Sequence, residues 1–422
     1  MKEIRKKASC LFLYMILIIS LTACKKTESV VKSESVDITN FSLESYKNQI
    51  VDERKALNGY RSESVEDEFE KVENTNLDFS ECKFSEFPDI TDVSVFSNSY
   101  RGMTEQEALN LIKTWLKSIG KSDLENLDQQ IFVVSESYEP DDTKEYPYCY
   151  HTISEQTPNF SAGDAIFFDT VDCSITVDSN GIQSVSDGKI ARYLNREYAY
   201  ADINHENYDV EESGTLDEIG YKEYSLIGGK LSVADGADLA TKYFSQESLF
   251  PSQDGMKMEV AEVRVIRLND VFGYDYLMRR VYNEVPFAYW DTGYFLVDQG
   301  YMPKGDIIHA FVVDDTGVSA FWVGTSPCAM LTPLYTDDKI ISFDSAVKIL
   351  DEKLAKQLSI KIDTVDFVYM PFSFSESEKL TDIVSFPCWE FKGINTRKNE
   401  KICIYVDALT GDVRYYTMQN DE

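Results

Sequence analysis

The stretch Ile404-Tyr-Val-Asp407-Ala-Leu-Thr-Gly411-Asp-Val-Arg-Tyr415 reads as two strands closed by a tight turn. Apolar residues alternate on both sides of the turn, as a hairpin with one buried face requires, and the glycine supplies a positive φ. Two earlier stretches follow the same plan: Ile175-Thr-Val-Asp178-Ser-Asn-Gly181-Ile-Gln-Ser-Val185 and Ala310-Phe-Val-Val-Asp314-Asp-Thr-Gly317-Val-Ser-Ala-Phe321. In all three the aspartate and glycine are read as turn formers.

Upstream of each hairpin lies a helix signal opened by a hydroxyl residue. These are Thr104-Glu-Gln-Glu-Ala108, Ser232-Val-Ala-Asp-Gly-Ala237 and Ser342-Phe-Asp-Ser-Ala346. Thr104 with Glu107 matches a capping box, whereas Ser342 has serine at the third following position and matches in part. Ala108, Leu111, Ile112 and Trp115 share one helical face, as do Ala346, Ile349, Leu350 and Leu354. The expected fold is α+β, a repeated helix plus antiparallel sheet in three units at residues 101–190, 230–325 and 340–418. Tight hairpins in place of long crossovers disfavour a parallel α/β sheet. Residues 41–100 read as an irregular amino-terminal region with a helix around Leu43–Leu57, an acidic stretch and short strand-like pieces.

The last unit combines Ser342-Phe-Asp-Ser-Ala346, Val368-Tyr-Met-Pro371, Phe386-Pro-Cys-Trp-Glu-Phe391 and Tyr405-Val-Asp-Ala-Leu-Thr-Gly-Asp-Val413. Over residues 341–417 it resembles PepSY-type modules and the related regulatory lipoprotein domains of Gram-positive bacteria, whose final hairpin carries a VDAxTGxV signature. Val406, Asp407, Ala408, Thr410, Gly411 and Val413 keep that signature. The turn at Asp314 is one residue shorter, and the turn at Asp178 lacks the threonine. The resemblance implies a helix packed on an antiparallel sheet, a binding or regulatory role toward a protein partner such as an envelope peptidase or sensor, and no chemistry or cofactor of its own.

At the other end, Lys2, Arg5, Lys6 and Lys7 precede an apolar run from Ala8, which closes on Leu21-Thr-Ala-Cys24. The run is too short and wrongly flanked for a spanning helix and fits a secretory signal. It resembles a bacterial lipoprotein signal over residues 1–23, which implies cleavage before Cys24, lipidation there and a lipid-anchored, extracytoplasmic location at the cell membrane. Residues 24–40 are small and polar, the composition of a flexible tether. The formal charge of −32 over 422 residues would repel nucleic acid and anionic lipid.

Among the usual catalytic constellations, HExxH, GxSxG, SxxK and a glycine-rich phosphate loop give no convincing match, and no catalytic, cofactor or metal residue is assigned. His309 stands near Asp306, which could orient an imidazole, but reads better as a histidine at the start of a strand satisfied by a neighbour. His205 reads as a loop residue, and the acidic loop Glu139–Glu145 as a solvated turn, not a calcium site. The densest aromatic cluster, Phe287, Tyr289, Trp290 and Tyr294, offers rings for a sugar or a partner, against the plainer reading of strand core. If the last strands turn around Asn395–Thr396, Cys388 and Cys403 stand opposite one another as a candidate disulfide. The expectation is thus a non-catalytic binding or regulatory lipoprotein; the alternative is a cell-envelope glycan- or peptide-binding or processing protein.

Overall fold

The three aspartate turns close three antiparallel meanders, and those meanders organise the two large sheets. The computed structural model describes residues 41–60, 65, 77–99, 101–121, 132–135, 148–153, 165–169, 173–178, 180–189, 208–250, 252–268, 271–289, 302–303, 307–325, 330–355, 358–373 and 383–419. The main helices among the described residues are α1 Leu43–Lys47, α2 Glu105–Ser118, α3 Val233–Phe244 and α4 Phe343–Leu350. The main strands are β1 Val93–Ser99, β2 Phe132–Ser135, β3 Tyr148–Ile153, β4 Ala165–Asp169, β5 Ser174–Asp178, β6 Gly181–Ser186, β7 Asp209–Gly214, β8 Met256–Leu268, β9 Val271–Tyr282, β10 Ile307–Val312, β11 Ala320–Thr325, β12 Met330–Asp337, β13 Ile360–Ser373, β14 Ile383–Asn395, β15 Glu400–Asp407 and β16 Val413–Gln419. The class is α+β and rich in strand.

An eleven-stranded sheet runs β2-β3-β4-β5-β6-β11-β10-β9-β8-β7, with Val285–Pro286 paired to β9. Helices α2 and α3 bury Ala108, Ile112, Trp115, Ala237 and Ala240 on one face of it, against Ile166, Phe168, Val263, Tyr274, Tyr276 and Ala310. An eight-stranded sheet contains the meander β13-β14-β15-β16, with β1 and β12 alongside the start of β14. Its core gathers Trp389, Tyr60, Phe87, Phe343 and Phe367, whose rings pack edge-on or tilted. The Trp389 indole N–H donates to the Ile341 carbonyl at 2.9 Å.

The helix starts follow the sequence signals. Thr104 and Glu107 form a reciprocal capping box on α2, and Ser232 accepts from the Asp235 N–H on α3. Ser342 makes no such bond to the backbone of α4; its hydroxyl engages Asp344 and Ser345 instead.

Two expectations need correction. The described residues of 41–100 hold more than an irregular lead-in: α1 ends at Lys47, well short of Leu57, and β1 is a full strand paired with β12 and β14. Its partners lie more than 200 residues away, so no local pattern announces it. The units at 101–190 and 230–325 also do not stand apart, because β6 pairs with β11 and makes one sheet of both. The signal at 1–23, the tether at 24–40, His205, Asp306 and the Glu139–Glu145 loop lie outside the described residues.

Candidate functional site

Alternation along the strands sends Tyr274, Tyr276 and Met278 toward the helices, so Asp275, Leu277 and Arg279 emerge on the opposite face of the eleven-stranded sheet. The same rule brings Glu262 and Arg264 from β8, His309 from β10 and Trp322 from β11 to that face. A polar seam results.

One end of the seam is fully buried. His309 Nδ1 lies 3.0 and 3.1 Å from the two carboxylate oxygens of Asp275, and both residues are 0 % exposed. The imidazole stacks on Trp322 with ring centroids 4.3 Å apart and planes 4° apart. Arg264 stands directly across from Asp275 in the register, with its Nε 3.6 Å from Glu262.

The other end crosses to the second sheet. Arg279 Nε donates to Glu259 at 2.7 Å and its Nη1 to Asp366 on β13 at 3.2 Å. Asp366 faces Glu390 across β13 and β14. Glu390 pairs with Lys392 at 3.0 Å and accepts from the Tyr405 hydroxyl at 2.7 Å. Burial, reinforced by Glu390 and opposed by Arg279, raises the Asp366 carboxyl above its ordinary range. Burial disfavours the charge of Arg279, but Asp366 and Glu259 outweigh it and hold the guanidinium protonated.

Tyr289 joins the two ends. Lys392 Nζ lies 4.2 Å and the Arg279 guanidinium 5.7 Å from its ring centre, while its hydroxyl reaches Glu262 at 3.4 Å. The segment carrying it passes between the sheets, with the Ala288 N–H donating to the Tyr369 carbonyl at 2.9 Å.

Of the candidate aromatics, Tyr289 therefore belongs to the seam, but Phe287 does not offer a binding ring. It is fully buried against Tyr369 in the core of the second sheet. Trp290 and Tyr294 lie outside the described residues, as does Cys24. The candidate disulfide is overturned. The register sets Cys388 opposite Asp407 and Lys392 opposite Cys403, so the two cysteines are offset by four residues, roughly 13 Å along the strand, and both are free. The turn sits beyond Asn395, which pairs with Glu400, two residues later than the expected reversal. Burial pushes the Cys403 thiol up to about 12, despite the opposing charge of Lys392.

The partner of His309 is Asp275, which sequence reading missed, as it missed Arg264, Arg279, Asp366 and Lys392. The available signal was a lone charge inside an apolar strand, as in Val365-Asp366-Phe367 and Trp389-Glu390-Phe391. Among the described residues no group of three or more His, Cys, Asp or Glu could hold a metal ion.

The signature aspartates do as expected. Asp178 accepts from the Asn180 N–H at 2.7 Å, Asp314 from the Thr316 N–H at 2.9 Å and Asp407 from the Leu409 N–H at 2.9 Å. Asp407 has an additional partner, the Tyr46 hydroxyl of α1, at 3.0 and 3.1 Å.

No protein-family model matches the chain, and no curated protein matches it. Two solved structures are distantly similar. An uncharacterized protein from Eubacterium rectale is 14% identical over 81% of this chain and 92% of its own, with a TM-score of 0.44. The Bacillus megaterium YpeB C-terminal domain is 12% identical over 76% of this chain and 100% of its own, with a TM-score of 0.30.

Proposed function

We propose that the chain is an extracytoplasmic lipoprotein, anchored at Cys24, that acts as a non-catalytic protein-binding or regulatory module built from PepSY-like units. The observation that carries this reading is the thrice-repeated unit, a helix and an antiparallel meander ending in an aspartate-capped hairpin. The seam supports it: Arg279, Lys392, Asp366 and Glu390 are engaged with one another and hold two sheets in register. Buried ion pairs of this kind contribute little net stability, and their best-attested use is to fix a particular arrangement.

The test is crosslinking of the intact protein on its own cells followed by affinity capture, with Cys24→Ala as the unanchored control. Recovery of one reproducible envelope protein, such as a peptidase or sensor, and its loss with the control, supports the reading. Turnover of a glycan or peptide by the purified protein overturns it in favour of an envelope-processing role.

A further inference from the structure

The junction inside the eleven-stranded sheet has a local two-fold symmetry. Strands β6 and β11 are the last strands of their meanders, and each starts within three residues of its signature glycine, Gly181 or Gly317. They pair antiparallel through Ser186↔Ala320, Val185↔Phe321 and Ser184↔Trp322. Val185 and Phe321 each stand four residues after their glycine, so equivalent positions pair with one another and the axis passes between them. Ser184 and Ala320 are equivalent, as are Ser186 and Trp322, and these cross-pair as a two-fold demands. The helices obey the same axis: Trp115 of α2 donates its indole N–H to the Tyr243 hydroxyl of α3 at 3.2 Å. Here two copies of one unit have joined by their terminal strands.

The third unit has the same terminal strand. β16 follows Gly411 and ends its sheet, with β15 on one side and no strand on the other among the described residues. Edge strands of soluble proteins are normally guarded by charge, proline or a bulge. One end of the other sheet is guarded in this way, since β7 reads Asp-Val-Glu-Glu-Ser-Gly with three acids, while β2 at its opposite end reads Phe-Val-Val-Ser. β16 reads Val-Arg-Tyr-Tyr-Thr-Met-Gln, without acid, proline or glycine. Its one charge, Arg414, lies over the rings of Phe372 and Phe386, at 4.5 and 5.2 Å from their centres.

We infer that β16 is a homodimerisation strand, pairing antiparallel with β16 of a second copy about an axis at Tyr415. Tyr415 is the fourth residue after Gly411, the equivalent of Val185 and Phe321. The register then sets Arg414 opposite Tyr416, Val413 opposite Thr417 and Asp412 opposite Met418. No like charges stand opposite, as cross-strand stability requires. The occupant is a second copy because this chain already joins this strand type to itself.

The experiment is analytical ultracentrifugation of the full chain in mild detergent up to about 100 µM, for wild type and for Tyr415→Lys, which places two cations on the axis. A wild-type dimer whose dissociation constant rises at least about tenfold in Tyr415→Lys, with an unchanged circular dichroism spectrum, is expected. As a check that does not depend on that variant, Tyr415→Cys should crosslink between copies through the two position-415 peptides, identified by mass spectrometry, while Val210→Cys on β7 should not. A monomer throughout, equal dimerisation of wild type and a folded Tyr415→Lys, or crosslinking at position 210 in place of 415 overturns the inference.

Discussion

Asp407 shows how much one side chain of the signature turn does. It is buried, accepts from the Leu409 and Thr410 N–H groups at 2.9 and 3.0 Å, and receives the Tyr46 hydroxyl from the far end of the chain. Asp407→Ala leaves those donors unsatisfied and should cost about 2–4 kcal/mol, measured by urea denaturation. Asp407→Asn keeps an acceptor and isolates the charge. Burial raises the Asp407 carboxyl above its ordinary 3.8, against the pull of Arg414 and the two N–H groups. The unfolded carboxylate therefore ionises first as pH rises. Its favourable contribution is complete below the unfolded value and is lost as pH climbs through the folded one. Unfolding free energies at pH 4 and pH 7 should show Asp407→Asn gaining on wild type with rising pH; a difference that shrinks would contradict the assignment.

At the scale of elements, close approach and register decide what local propensity leaves open. Gly236 lies inside α3, where a Cβ would stand 2.2 Å from the Tyr276 hydroxyl and 2.9 Å from the Tyr274 ring. Alanine improves helix propensity by about 1 kcal/mol, yet Gly236→Ala should lower stability by about 1–3 kcal/mol because the helix must lift from the sheet. Thermal melting reads the sign directly. In the last hairpin, the two-residue displacement of the turn is what separates Cys388 from Cys403. Both thiols should be alkylated after unfolding without reductant, and a mass-mapped Cys388–Cys403 peptide would refute the register.

At the scale of the molecule, the two sheets are tied through Arg279 and Asp366. Removing either partner alone leaves a buried charge and should cost about 3–5 kcal/mol, whereas the Arg279→Met, Asp366→Leu pair should be far milder than the two single changes combined. A double-mutant cycle in denaturant measures this, and additive losses would show that the pair does not couple the sheets. The sequence by itself determined the α+β class, the three aspartate turns and the helix starts at Thr104 and Ser232, because these rest on periodicities and hydrogen bonds spanning a few residues. Only the tertiary structure decided that β1 belongs with residues from the opposite end of the chain, that β6 and β11 fuse two units, and that Asp275, His309, Tyr289, Arg279 and Asp366 form one seam. Those features depend on pairing between distant strands, and one residue of register moves a side chain to the other face of a sheet, which no local pattern records.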